Sequence, residues 1–148
     1  NVAGEPLVIE YNCRMGDPET EAVLPRIQTD FVELMEAVAE RKLDEVQLQI
    51  DSRIATTVVM VSGGYPGNYE KGFSITNLDK VGDTLVFHAG TAQQGKNVIT
   101  NGGRVLALTS LAETLDAALE KSYAAAKTIN FDYAYYRKDI GQDLLLMI

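Results

Sequence analysis

Apolar residues recur at a spacing of two, then near 3.6, then two, then 3.6 again along this chain. Leu7, Ile9, Tyr11 and Cys13 alternate with Val8, Glu10, Asn12 and Arg14, which predicts a strand over 7–14 with one face for a core and one polar face. Gly16-Asp17-Pro18 reads as a turn at Gly16, a helix N-cap at Asp17 and Pro in the first helical position. Val23, Leu24 and Ile27 continue on one helical side, and Pro25 breaks that run. Asp30-x-x-Glu33 predicts a capping box for a second helix, whose Phe31, Leu34, Met35 and Val38 form a core stripe opposite Glu33, Glu36 and Glu40. Leu43 to Asp51 fits both alternation and a turn of helix, so it reads as a short closing element. The boundary between two regions falls at 51–53, giving 1–52 and 53–148.

The second region changes texture. Ala55 to Val61 is rich in β-branched residues, as a buried strand is. It stops at Gly63-Gly64-Tyr65-Pro66-Gly67, a turn-forming loop. Phe73–Thr76, Leu85–His88, Asn97–Thr100 and Arg104–Thr109 read as further short strands, with Asn101-Gly102 as a two-residue hairpin turn. Ser110-x-x-Glu113 caps a long helix with Leu111, Leu115, Leu119 and Ala126 on one stripe. Tyr133–Tyr136 is a last strand. The predicted class is α+β: a strand-plus-helices segment, then a small domain of short, mostly antiparallel strands with one long covering helix.

Composition narrows the function classes. The chain has 148 residues, is 46% hydrophobic and 23% charged, and has no low-complexity tract, as expected of a globular fold. Net charge is −8, with 13 acids and 6 bases in residues 1–74 against 8 and 7 in residues 75–148. That is no footprint for nucleic acid. No run is apolar for the length of a membrane span, and no signal-peptide pattern is present. Cys13 is the single cysteine; it suits a reducing compartment, the cytoplasm, and reads as a small core residue rather than a nucleophile.

Chemistry concentrates on the polar face of 7–14. Glu10 and Asn12 would stand roughly 6–7 Å apart along a strand, so one hard cation can be reached by both oxygens. Arg14 follows, suited to a bidentate grip on phosphate or carboxylate. From pattern alone, a half-exposed strand with ordinary solvent-facing residues explains the same alternation. The continuation is more specific. Glu10-Tyr-Asn12-Cys-Arg14-Met-Gly16-Asp17-Pro18-Glu19-Thr20 resembles the metal-binding strand of the ATP-grasp ligases, and within them the phosphoribosylamine–glycine ligase family. Ser62-Gly-Gly-Tyr-Pro-Gly67, Lys71-Gly72, Val86-Phe-His-Ala-Gly-Thr91, Thr100-Asn-Gly-Gly-Arg104-Val105 and Tyr136-Arg137-Lys138-Asp139-Ile140-Gly141 follow in the family's order.

The resemblance implies an ATP-dependent carboxylate–amine ligase of purine biosynthesis that joins glycine to 5-phosphoribosylamine through a glycyl phosphate. It implies Mg²⁺ or Mn²⁺ on Glu10 and Asn12, ATP as co-substrate and Arg14 as a catalytic clamp on the transferred phosphoryl or the glycine carboxylate. Substrate contacts fall to Asp17, Glu19, Gly64, Tyr65, Lys71, His88 and Arg104. It also implies that 1–52 ends an ATP-grasp domain, that 53–148 is the enzyme's C-terminal domain, and that the remainder of the polypeptide supplies the nucleotide lobes, so this piece by itself is inactive.

Plainer readings stand beside these. Asp17 serves equally as a helix cap. The glycine-rich loop beside Lys71 can hold phosphate or be an ordinary turn. His88, the only histidine, reads as structural rather than catalytic, having no partner in the sequence. Asn101, Gly102 and Gly103 fit a plain hairpin with Arg104 as a phosphate contact, and Tyr133, Tyr135 and Tyr136 fit packing and edge positions. Two other functions remain open, another ATP-grasp ligase and a non-catalytic binding module.

Overall fold

The computed structural model describes residues 3–11 and 13–145. Its centre is an antiparallel sheet of strands β1 (Ile54–Ser62), β3 (Leu85–His88), β6 (Arg104–Ala112) and β7 (Ala134–Tyr135), ordered β3-β6-β1-β7. A smaller antiparallel sheet is formed by β2 (Ser74–Ile75), β4 (Thr91–Gln94) and β5 (Asn97–Thr100), ordered β2-β5-β4. Helix α3 (Leu115–Thr128) packs on β1 and β6. The α+β expectation for this region holds: short antiparallel strands with one long helix over a sheet.

The two faces of β1 do different work. Thr56, Val58, Met60 and Ser62 are buried, while Thr57, Val59 and Val61 are partly exposed. Val58 and Met60 join Val105, Leu106, Leu108, Ala125, Ala126, Ile129 and Phe131 in one cluster. The Ser122 hydroxyl on α3 meets the Thr56 hydroxyl at 3.0 Å and donates to the Thr56 carbonyl at 3.1 Å. Polar groups buried between helix and sheet are thereby paired. The odd-numbered face of β1 is left for other partners.

Helices α1 (Thr20–Val23) and α2 (Phe31–Glu40), each followed by a 3-10 turn (Leu24–Arg26 and Leu43–Glu45), precede the sheet. Pro25 ends α1 as expected and sits inside the 3-10 turn. Asp30 caps α2 by accepting from the Val32 amide at 2.8 Å. The chain returns beside itself at Ile27 and Ile50. There the Arg26 side chain donates twice to the Asp51 carbonyl, and Asp51 forks with Arg53.

Several expectations give way. Residues 7–11, 13 and 14 form no strand: none of the described strands pairs with them, and a ladder needs a neighbour for its backbone groups. Their intended core face is open, with Ile9 95% exposed and Cys13 exposed rather than buried. On α2 only Leu34 and Ala37 are buried; Phe31, Met35 and Val38 are exposed, so the stripe is amphipathic without being core. Asn101-Gly102 joins strands of different sheets and is no hairpin turn. The tight hairpin lies at Gly95-Lys96, between Gln94 and Asn97, where Gly95 has a φ of +61°, the conformation such two-residue turns demand. Ser110 and Leu111 belong to β6, and Thr114 caps α3 by accepting from the Ala117 amide at 3.3 Å. A strand buried on both faces reads as an unbroken apolar run, which hid where β6 ends and α3 begins.

Candidate functional site: a cleft with two guanidinium groups

An open cleft of about 960 Å³ lies against the odd-numbered face of β1, lined by Thr57, Glu10, Arg14, residues 15–22 and Arg104. Its wall is the turn entering α1. The Gly16 amide donates to Glu19 Oε1 at 2.9 Å, and the Thr20 hydroxyl donates to the Gly16 carbonyl. Gly16 lies close under the Glu19 carboxylate: an added Cβ would stand 2.6 Å from the carboxyl carbon, and the Glu19 side chain would have to shift. The turn is fastened to the sheet through Thr109, whose hydroxyl donates to the Glu21 carbonyl at 2.9 Å and meets the Thr57 hydroxyl at 2.7 Å.

Arg104 reaches the cleft through an irregularity in β6. From Ile54 to Met60 the register of β1 and β6 is regular, with Met60 opposite Leu106, but Val61 lies opposite Arg104. Unbroken pairing would set Arg104 opposite Ser62, whose side chain is on the buried face. The bulge sets it instead opposite Val61, on the face that bears the cleft, and leaves Val105 in the core. Such bulges re-aim a side chain by adding one residue to a strand. The strand entry is held by the Ser62 amide and hydroxyl, which donate to the Gly103 and Gly102 carbonyls at 2.8 Å each, and by the Gly90 amide, which donates to the Arg104 carbonyl at 2.8 Å. Gly90 and Gly102 cross so closely that a Cβ on Gly90 would meet the Gly102 Cα at 2.6 Å, and the Tyr65 ring lies on Gly103. The HAGT, NGGR and GGYP motifs therefore build the mount of Arg104.

Arg104 Nη1 stands 3.0 Å from Asp17 Oδ1. Asp17 does not cap α1, which starts at Thr20 with Glu19 in the cap position; its carboxylate serves Arg104. Both groups are exposed, so this pair orients more than it stabilises. Arg14 donates to the Met15 carbonyl at 2.9 Å and also lines the cleft. Four carboxylates (Glu10, Asp17, Glu19, Glu21) thus share one cleft with two guanidinium groups. Glu21 Oε2 is buried without a hydrogen-bond partner among the described residues.

A smaller, largely apolar pocket of about 340 Å³ adjoins the cleft, sharing Pro18, Thr57 and Arg104 with it and adding Tyr65, Tyr135, Tyr136, Arg137 and Ile140.

Of the residues singled out from sequence, Glu10, Arg14, Asp17, Glu19 and Arg104 are brought together in the cleft, and Tyr65 lines the side pocket. Asn12 lies outside the described residues. Gly64, Lys71 and His88 line neither space. Gly64 makes a turn at a φ of +96°, Lys71 lies 6.0 Å from the Tyr69 ring centroid, and His88 Nδ1 is 3.0 Å from the Thr91 hydroxyl. Thr57, Glu21 and Arg137 were not singled out. Thr57 was legible as an odd position on a strand whose even positions are core; Arg137 stands in the Tyr136-to-Gly141 segment, which carried no role, and Glu21 lacked a local pattern.

Among the described residues no three His, Cys, Asp or Glu side chains gather as a metal cage. The donor set of the cleft is carboxylate oxygen, which fits a hard cation that keeps water and phosphate ligands.

The fold and cleft define an α+β domain that offers carboxylates and guanidinium groups on one sheet face. Residues 55–143 match the family described as "Phosphoribosylglycinamide synthetase, C domain", and the chain belongs to that family. It is 47% identical over 140 residues to a phosphoribosylamine–glycine ligase of Vibrio cholerae, covering 93% of this chain and 33% of the relative. It is 46% identical over 142 residues to a bifunctional purine biosynthetic protein of Dictyostelium discoideum, covering 93% and 17%. A crystal structure of phosphoribosylamine–glycine ligase from Thermotoga maritima superposes with a TM-score of 0.73 at 33% identity, covering 93% of this chain and 34% of that one. The chain therefore spans about a third of the length of such ligases.

Proposed function

We propose that this chain is the part of an ATP-dependent carboxylate–amine ligase that closes its active site, in an enzyme of purine biosynthesis joining glycine to 5-phosphoribosylamine. Supporting this are the family membership and, above all, one observation: Glu10, Arg14, Asp17, Glu19 and Arg104, chosen from sequence, share one cleft. Glycine's carboxylate takes the γ-phosphoryl of ATP, giving glycyl phosphate and ADP. The amine then attacks the acyl carbon, phosphate leaves, and the nitrogen gives up a proton to form glycinamide ribonucleotide. No protein nucleophile is needed; positioning and charge neutralisation supply the catalysis.

In this reading Arg14 and Arg104 bear on the phosphoryl and carboxylate oxygens, Asp17 holds Arg104 in line, and Glu19 orients the amine or the ribose hydroxyls. Glu10 and Asn12 would hold Mg²⁺ or Mn²⁺, which when bound neutralises phosphate charge. Tyr65 contacts substrate from the side pocket. Residues 1–52 end the ATP-grasp domain and 53–148 form the C-terminal domain. The nucleotide site belongs to the remainder of the polypeptide, in the cytoplasm, and the 148-residue chain by itself does not turn over. No described helix is long and apolar enough to cross a membrane.

The test is a ligation assay of the full natural polypeptide with ATP, glycine and phosphoribosylamine, run with Mn²⁺ titration. Glu10→Gln is expected to raise the Mn²⁺ needed for half-maximal rate about tenfold or more. An unchanged titration would remove the metal assignment, and turnover by the 148-residue chain alone would remove the division of labour.

A further inference from the structure

Arg137 lines the side pocket and not the cleft. Asp139 takes one edge of its guanidinium: Nε donates to Asp139 Oδ1 at 3.0 Å and Nη2 to Oδ2 at 2.8 Å. Nη1 has no partner among the described residues. The pair is exposed, and the carboxylate holds the guanidinium further into its charged form. A planar fork fixed along one edge presents its other edge, Nη1 and Nη2, in a set direction. The backing is firm as well. The Tyr123 hydroxyl on α3 accepts from the Ile140 amide at 2.9 Å, Tyr123 and Tyr136 rings lie 6.2 Å apart, and Gly141 abuts Leu119.

The pocket between Arg137 and Arg104 is walled by Tyr65, Tyr135, Tyr136, Val59 and Val61. Apolar and aromatic walls with two guanidinium groups among them suit a small polar ring that carries an anion. The pocket opens onto the cleft through Thr57, Pro18 and Arg104, which line both. A molecule held in the pocket is therefore next to the cleft.

We propose that the side pocket binds the sugar-phosphate end of the amine substrate, with the free Nη1/Nη2 edge of Arg137 gripping its phosphomonoester and Tyr65, Tyr135 and Tyr136 enclosing the sugar. This rests on the function proposed above and assigns one of its two small substrates a place. The phosphate is held away from the polyphosphate site, and the amino group projects past Arg104 into the cleft. Asp139 is then a positioning residue that acts through Arg137.

Steady-state kinetics of the full polypeptide test this, each substrate varied in turn. Arg137→Ala is expected to raise the KM for phosphoribosylamine about ten- to a hundredfold, the range of one charged hydrogen-bonded contact, and to leave the KM values for glycine and ATP within about twofold. Ribose 5-phosphate, as a competing probe, should lose affinity by the same factor. Arg137→Lys keeps the charge without the fork and should fall between, and Asp139→Asn should raise the same KM by a smaller factor. Arg137 is 65% exposed, so equal melting temperatures are expected throughout. Active wild type with an unchanged phosphoribosylamine KM in Arg137→Ala and Arg137→Lys overturns the pocket assignment and spares the proposed function. A rise shared by all three substrates also overturns it. Wild type that ligates no phosphoribosylamine overturns both.

Discussion

Residues 54–131 and residues 7–50 both carry apolar side chains at regular spacing, and they bury them to opposite degrees. In the first stretch Val58, Met60, Val105, Leu106 and Leu108 are fully buried, because two long strands pair along their whole length and a fourteen-residue helix covers them. In the second, Leu7, Val8, Ile9, Tyr11, Phe31, Met35 and Val38 are exposed. Periodicity states which face of an element is apolar; a core also needs a second element to cover it. The cleft forms where the two stretches meet, on the face of β1 that α3 does not cover.

Truncating one side chain in each stretch should separate them most clearly. Leu106→Ala should cost about 2–5 kcal/mol, as buried Leu truncations do, whereas Met35→Ala should fall within about 0.5 kcal/mol; urea denaturation of both measures the difference. Comparable losses would mean that α2 shares the core. A smaller effect is expected at the helix–sheet seam. Ser122→Ala leaves the Thr56 hydroxyl without its partner and should cost about 1–3 kcal/mol by the same measurement.

Smaller again is Gly103→Ala. The new methyl meets the Tyr65 ring, which is half-exposed and can swing away, so stability should fall by about 1 kcal/mol or less. The side pocket loses a wall, however, and the phosphoribosylamine KM of the full polypeptide should rise while the glycine KM holds. This would separate the mount of the site from the core beneath it.

The smallest effect concerns the strap between the two stretches. Hydrogen bonding and charge from Arg53 lower the Asp51 carboxyl from 3.8 to about 2. A carboxyl with a depressed folded value contributes its stability above its unfolded value, and that contribution is lost as pH falls towards the folded one. Melting temperatures taken from pH 5 to pH 2 should therefore fall less steeply for Asp51→Asn than for the wild type, with most of the difference arising below about pH 4. Parallel curves would mean that the Asp51–Arg53 fork contributes nothing to stability.

Much of the strand region was legible. The β-branched run announced β1, and β3 and β5 match their expected limits. The rest required three dimensions. Val105 and Arg104 look like successive alternating positions, and only the bulge opposite Met60 and Val61 shows that Val105 goes to the core and Arg104 to the cleft. Gly102 reads as a turn former, yet close backbone approach between it and Gly90 is what forbids a side chain at both. The polar face of 7–14 was read as a strand because alternation is the only local signal a strand has, and pairing is not local. Within the candidate site, the acid and guanidinium residues were found from their motifs, whereas Arg137 gained its place only once the side pocket appeared beside Tyr65.

The central claim is that this cleft is part of a ligase active site, with Arg104 aimed into it by the β6 bulge. Ligation by the full polypeptide carrying Arg104→Ala tests it most directly. The expected result is a loss of about a hundredfold in kcat/KM, typical of removing one charge-stabilising donor, with an unchanged urea midpoint. Ligation within about twofold of the wild type would contradict it.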